Sequence, residues 1–176
     1  QPNGKIVVAG FTNSASGFDF AVARFTSTGS FDNTFDLNGR VTTDINGSAY
    51  DKAWAIALQP DGKILAAGST FNGTNYQFAI VRYNDNGSLD TTFDGDGIAT
   101  ILIGSGARAM GMVIQSDEKI VLTGPVGADA GVSRLNSNGS LDTSFGSGGN
   151  TVVNIGSLDE PWGITLQTDE KIVIGG

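Results

Sequence analysis

Three carboxylates lie close together in a glycine-containing loop near the middle of the sequence. Asp94 and Asp96 alternate with Gly95 and Gly97, and Asp90 stands four residues before Asp94. Ca²⁺ is bound by several carboxylate and carbonyl oxygens at about 2.3–2.6 Å, so a loop of this kind could hold the ion. Asp and Gly also form tight turns without any metal. Turn formation is the favoured interpretation, and a Ca²⁺ site at Asp90, Asp94 and Asp96 is the alternative.

An Arg precedes an Asp by eight residues at three places in the chain. The pairs are Arg24 with Asp32, Arg82 with Asp90, and Arg134 with Asp142. Such a pair could line a binding surface, or it could hold a turn to a strand through charge-assisted hydrogen bonds. A binding site seldom needs the identical pair at three places in one chain, so we expect that these pairs have a structural role.

Aromatic side chains divide into two groups by their local pattern. Trp54 and Trp162 could stack on a sugar. Met110, however, stands at the corresponding position of the middle one of the three tandem repeats described below. In each copy the alternation of large and small residues places this side chain on the same strand face as Ile and Leu. We therefore predict that these three side chains are core. Other aromatic residues lie in or next to loops and are the predicted surface contacts: Tyr50, Phe71 and Tyr76.

The composition excludes several function classes. The chain has 176 residues with a formal net charge of −8, and it contains neither His nor Cys. A Ser-His-Asp triad, a Cys nucleophile, a Cys/His zinc site and a disulfide are therefore excluded. A net negative chain with scattered basic residues is not expected to bind nucleic acid, and no apolar run reaches the roughly 20 residues of a membrane-spanning helix.

The chain is built from a tandem repeat. The motif Q-P-[N/D]-G-K-I at residues 1 and 59 recurs in altered form at 115 and 167, with steps of 58, 56 and 52 residues. A second block, at 29–35, 87–93 and 139–145, follows each of the first three copies. The predicted organisation is three repeats, at 1–58, 59–114 and 115–166, followed by the first strand of a fourth at 167–176. All belong to one domain or to a fragment of one.

Each repeat is predicted to form four β-strands. In the first repeat, the strands at 5–10 and 20–25 are almost wholly apolar, so both faces of the sheet must be covered. The last strand, around 53–58, alternates large side chains with Ala, which is typical of a strand packed closely on both faces near a central axis. We expect an all-β fold of four-stranded antiparallel β-propeller blades in an incomplete ring, since propellers usually close with four to eight blades. A β-solenoid or a sandwich is the alternative.

Three motifs of the second repeat carry a family resemblance. They are Q-P-D-G-K-I-x-x-A-G at 59–68, F-A-x-x-R at 78–82 and G-S-L-D-T-x-F at 87–93. Together they resemble the delta-60 repeat family, a bacterial repeat associated with β-propellers and often found in large secreted or surface proteins. The resemblance covers essentially the whole chain, implies the fold and a surface location, and supplies no catalytic residues. Glu118 and Glu170 stand where the first two copies have Gly, which leaves the turn type there open.

These observations predict a non-catalytic extracellular or cell-surface module that binds or scaffolds a protein or glycan partner. A structural protomer, which pairs with further copies of itself through open strand edges, is one alternative. A carboxylate-based glycosidase is another, but it needs two acids about 5–10 Å apart, and no acid pair stands apart from the repeat pattern. We therefore expect no enzymatic activity, no membrane insertion and no cofactor other than the Ca²⁺ considered above.

Overall fold

A computed structural model describes residues 1–15, 17–45, 47 and 50–176, and every regular element in it is a β-strand. The strands are β1 (Ile6–Asn13), β2 (Phe18–Phe25), β3 (Arg40–Thr43), β4 (Lys52–Leu58), β5 (Ile64–Phe71), β6 (Tyr76–Tyr83), β7 (Ile98–Ile101), β8 (Gly111–Ile114), β9 (Ile120–Val126), β10 (Asp129–Leu135), β11 (Asn150–Val153), β12 (Gly163–Leu166) and β13 (Ile172–Gly175). No helix long and apolar enough to cross a membrane occurs in this part of the chain.

The strands form four antiparallel sheets. Two sheets have four strands, in the orders β4-β5-β6-β7 and β8-β9-β10-β11, while β1-β2-β3 and β12-β13 form smaller sheets. The prediction of tandem four-stranded antiparallel units is confirmed. Within the described residues, the four sheets do not close into a ring.

The sheets are offset from the sequence repeats by one strand. The last strand of the first repeat, β4, pairs with β5 of the second repeat, and β8 pairs with β9 in the same way. The reason is the tight turn between each pair, in which the amide of Gly62 donates to the carbonyl of Gln59 at 3.0 Å. Each repeat therefore contributes one strand to the next sheet, which interlocks neighbouring repeats.

The turn is the same where Glu replaces Gly. Gly4 and Gly62 have φ of 80° and 89°, and Glu118 and Glu170 have φ of 65° and 64°. In each copy the residue also donates its amide to the Gln three positions earlier. The turn type therefore survives the loss of Gly, although a non-glycine residue in this region carries a conformational cost.

The hydrophobic core consists of two layers between successive sheets. On β5, Leu65 and Ala67 belong to the layer shared with the β8–β11 sheet, whereas Ile64 and Ala66 belong to the layer shared with the β1–β3 sheet. Successive side chains of a strand point to opposite faces, so β5 is covered on both sides. This accounts for the nearly continuous apolar sequence of the strand.

Candidate functional site

The repeated Arg and Asp form a direct ion pair in each copy. Arg Nε lies 2.7, 2.7 and 2.8 Å from the Asp Oδ2 in the first, second and third repeats, respectively. The Asp belongs to the turn that follows the strand, and its backbone amide donates to the Arg carbonyl at 2.9 Å in each copy. The Lys that ends the turn motif of each repeat also contacts this carboxylate. Its Nζ lies 2.8 to 3.2 Å from the Asp Oδ2 in the three copies.

In the first two repeats the same Arg also contacts the following repeat. Arg24 Nη1 donates to the carbonyl oxygen and the carboxylate of Asp85 at 2.6 Å each. Arg82 Nη1 donates to the carbonyl oxygen of Ser137 at 2.6 Å. Each guanidinium also lies over a Phe ring of its own repeat, and the carbon-to-centroid distance for Arg82 over Phe93 is 4.6 Å. These contacts join strand, turn and neighbouring repeat, and they support a structural role for the pair.

The paired carboxylates have lowered pKa values. A hydrogen bond from Lys5 holds the pKa of Asp32 well below its usual range. For Asp90, burial raises the pKa, but hydrogen bonds from Thr92 and Lys63 and the charge of Arg82 outweigh it, so the pKa falls to about 2. A hydrogen bond from the Ser144 hydroxyl is the largest contribution to the low pKa of Asp142.

These shifts predict loss of stability in acid. A carboxyl group whose pKa is lower in the folded chain than its unfolded value of about 3.9 stabilises the fold above that value. Its contribution disappears as the pH falls through the folded pKa, so the urea midpoint should drop steeply between about pH 4 and pH 2. Asp90→Asn should make this slope shallower. A wild-type midpoint that stays constant over the interval would contradict the assignment.

The loop with Asp90, Asp94 and Asp96 is arranged as a turn. Asp90 is occupied by its ion pair with Arg82, and Asp96 Oδ1 accepts the amide of Ile98 at 2.8 Å. Burial and the charge of Asp96 raise the pKa of Asp94. Asp94 donates its amide to the Asn138 carbonyl at 2.8 Å, which places the turn against the next repeat. Within the described residues, these three are not among the acids whose oxygens converge, and Ca²⁺ binding by the loop stays a prediction.

The predicted surface contacts form one aromatic cluster. The ring centroids of Phe71 and Tyr76 are 5.1 Å apart, and those of Tyr76 and Tyr50 are 6.3 Å apart. Phe18 continues the cluster at 6.1 Å from Tyr50. The structure therefore brings these three predicted contact residues together, and what they bind stays a prediction.

Tyr50 and Tyr76 line an open cavity of about 350 Å³ together with both tryptophans of the chain. Trp54 and Trp162 are 41% and 61% exposed, and Met110 beside them is half-buried. The prediction that the two tryptophans are core is therefore wrong. Alternation identified the face of the strand correctly, but in the described structure that face borders a cavity and not a packed layer.

A comparison with known families identifies the repeat. The family described as "Domain of unknown function (DUF5122) beta-propeller" matches residues 1–35, 59–93 and 115–145, more than half of the chain. The chain belongs to this β-propeller family. The resemblance to delta-60 repeats is thereby confirmed, and the sheets described above are propeller blades. No curated protein matches the chain.

Two cations of the propeller border the aromatic cavity and were not predicted from the sequence. Lys52 Nζ lies 4.8 Å from the centroid of the Phe11 ring and 4.2 Å from that of Phe18, and Arg108 lies over Tyr76 at 5.6 Å. In the described part of the chain, every other Lys or Arg except Arg40 forms an ion pair with an Asp. Lys52 and Arg108 belong to neither the Arg–Asp motif nor the Gln-to-Lys motif of the repeat. This difference is the sequence signal that could have identified them.

Proposed function

We propose that this β-propeller domain is a non-catalytic binding module whose ligand site is the aromatic cavity. The observation that carries the proposal is the convergence of four aromatic side chains and two cations on one opening. The residues concerned are Tyr50, Trp54, Tyr76, Trp162, Lys52 and Arg108. Aromatic faces stack on flat apolar surfaces, and a guanidinium binds carboxylate or sulfate groups.

An acidic glycan is the ligand class that best fits this chemistry. Its sugar rings would stack on the tryptophan and tyrosine side chains, and its acidic groups would pair with Lys52 and Arg108. The net charge of −8 disfavours anions elsewhere on the surface, so the two cations would give the cavity its selectivity. A protein segment with acidic and aromatic side chains is the alternative partner. A secreted or cell-surface location is part of the same proposal and rests on the family resemblance.

The non-catalytic part of the proposal rests on the chemistry of the acid that recurs in each repeat. Asp32, Asp90 and Asp142 are each paired with a Lys and an Arg, and their pKa values are lowered. A glycosidase acid needs a raised pKa so that it keeps its proton until it is transferred. These three carboxylates are suited to holding the blades together.

Calorimetric titration with an acidic and a neutral oligosaccharide tests the proposal. We expect a heparin-derived or galacturonate hexasaccharide to bind and a neutral hexasaccharide of similar length to bind at least about tenfold more weakly. Arg108→Ala should weaken binding of the acidic ligand by about tenfold or more, because a charge-assisted hydrogen bond is lost. Arg40→Ala is the matched control, since Arg40 also lacks an ion pair in the described structure but lies outside this cavity. Equal loss in the two variants would contradict the proposed site.

The free edge of β1 favours self-assembly as a second candidate function. Among the described residues β1 pairs with β2 alone, and Ile6 and Val8 are 52% and 45% exposed. An unpaired apolar strand edge can accept a strand from another chain. Native mass spectrometry of the purified protein distinguishes the candidates. Particles that are multiples of the chain mass would favour the structural protomer, and a monomer that still binds the oligosaccharide would favour the binding module.

A further inference from the structure

Three carboxylates that belong to separate segments of the chain converge where the first blade meets the second. One oxygen each of Asp19, Asp44 and Asp51 lies within 4.8 Å of the other two. Asp19 belongs to β2, Asp44 directly follows β3, and Asp51 directly precedes β4. Asp19 and Asp51 are buried and Asp44 is exposed, so the cluster is open to solvent on one side.

Asp19, a member of this cluster, has a buried oxygen without a partner in the described structure. Its side chain is 7% exposed, and its Oδ1 has no hydrogen-bond partner among the described residues. No Lys or Arg in the described part of the chain forms an ion pair with Asp19 or Asp44. A buried carboxylate oxygen that is neither paired nor hydrogen-bonded is costly. The arrangement therefore favours a positively charged ligand.

Two hydrogen bonds from the protein hold Asp51 in place. Asp51 Oδ1 accepts the hydroxyl of Thr70 at 2.7 Å, and its Oδ2 accepts the amide of Ile45 at 2.6 Å. Both donors are uncharged. Lys52 is adjacent in sequence, but its ammonium lies over the Phe11 and Phe18 rings.

In the third repeat the corresponding positions are joined by hydrogen bonds. Asp129 and Asp159 correspond to Asp19 and Asp51, and Asp159 Oδ2 accepts the amide of Ile155 at 2.7 Å just as Asp51 accepts Ile45. The third position is Asn154, whose Nδ2 donates to Asp129 Oδ1 at 2.6 Å. In the first repeat Asp44 replaces this Asn and has no amide hydrogen to donate. A third carboxylate thus stands where a donor is required.

The second repeat lacks the cluster altogether. The corresponding residues are Gln77, Leu102 and Ala107. The repeat architecture therefore does not require carboxylates at these positions, and the three acids of the first repeat are a local feature. This separates them from the Arg–Asp pairs, which recur in every repeat.

We propose that Asp19, Asp44 and Asp51 form a binding site for a hard divalent cation of the size of Ca²⁺. Oxygens that share one Ca²⁺ at about 2.3–2.6 Å can be up to about 5 Å apart, and the 4.8 Å limit of the cluster meets this condition. Three carboxylates supply only part of the six to eight ligands of Ca²⁺, and water on the exposed side of Asp44 completes the shell. This site is distinct from the loop of Asp90, Asp94 and Asp96.

Isothermal titration of the EDTA-treated, dialysed protein with CaCl₂ tests the site. We expect the wild type to bind one Ca²⁺ with a dissociation constant in the range of about 10⁻⁴–10⁻³ M, as open sites in extracellular modules do. Asp44→Asn copies the third repeat and should fold without Ca²⁺, because the new amide can donate to Asp19. It should bind Ca²⁺ at least about tenfold more weakly. Asp19→Asn gives a second, independent test of the site.

Asp96→Asn is the matched control, because it removes one charge from the other acidic loop while retaining an oxygen that can accept the Ile98 amide. The proposal predicts that Asp96→Asn binds Ca²⁺ like the wild type. It is overturned if the wild type shows no binding up to about 10 mM CaCl₂, or if Asp44→Asn and Asp19→Asn bind as the wild type does. It is also overturned if Asp96→Asn abolishes binding.

Discussion

Replacing Arg82 with Met is expected to lower the free energy of unfolding by roughly 3–5 kcal/mol, the range observed when one partner of a buried ion pair is removed. Arg82 bonds to Asp90 in its own blade and to the Ser137 carbonyl in the next, and it lies over Phe93. Its loss leaves a buried carboxylate whose one remaining charged partner in the described structure is the partly exposed Lys63. The measurement is urea unfolding at pH 7 followed by circular dichroism.

Arg40→Met is the control for this experiment. Arg40 is exposed and lies over the Phe31 ring, with no ion pair in the described structure, so its replacement should change stability by no more than about 0.5 kcal/mol. The double variant Arg82→Met/Asp90→Asn should recover part of the loss, because it removes the buried charge that has lost its Arg partner. If Arg82→Met unfolds at the wild-type midpoint but loses ligand affinity, the pair is a binding element and the structural interpretation is wrong.

Gly68→Ala should destabilise the protein by about 2–3 kcal/mol, whereas Gly10→Ala should be neutral or stabilising by up to about 1 kcal/mol. The two glycines are equivalent in the repeat. A Cβ at Gly68 would overlap the carbonyl oxygen of Lys52 and lie 2.8 Å from Ala53 Cα, because β4 crosses closely there at a shift in its register. A Cβ at Gly10 has no neighbour within 4 Å. Backbone atoms cannot move aside as a side chain can.

Thermal unfolding of these two variants gives the comparison directly. The midpoint of Gly68→Ala should fall well below that of Gly10→Ala, and Gly124→Ala should behave like Gly68→Ala because its Cβ would overlap the Arg108 carbonyl. Equal midpoints for Gly10→Ala and Gly68→Ala would show that β4 does not approach β5 as closely as described.

Local patterns were sufficient to predict the blades. The alternation of strand residues and the Q-P-D-G-K turn are properties of neighbouring residues, so they are visible in the sequence. The offset between repeats and sheets follows from that turn, since it forces β4 to pair with β5. For Trp54 the local pattern was not sufficient, and the core assignment was incorrect. Period-two alternation tells which face a side chain occupies but not whether another layer covers that face.

The site features that were missed depend on contacts between distant residues. Arg24 meets Asp85, which is 61 residues away, and no spacing rule within one repeat could identify that partner. Lys52 and Arg108 lie in different repeats, and both line the cavity. The acids of the proposed cation site come from three separate segments. The sequence feature that distinguishes these acids appears only when the repeats are aligned with one another. In that alignment Asp44 of the first repeat corresponds to Asn154 of the third.

The most direct test of the proposed binding site uses the two tryptophans as reporters. Protein labelled with 5-fluorotryptophan has two fluorine resonances, one from Trp54 and one from Trp162, because the sequence contains two Trp. Titration with the acidic hexasaccharide should shift both resonances, whereas the neutral hexasaccharide should leave both nearly unchanged. Binding that is measurable by calorimetry but shifts neither resonance would place the ligand elsewhere and contradict the aromatic cavity as the functional site.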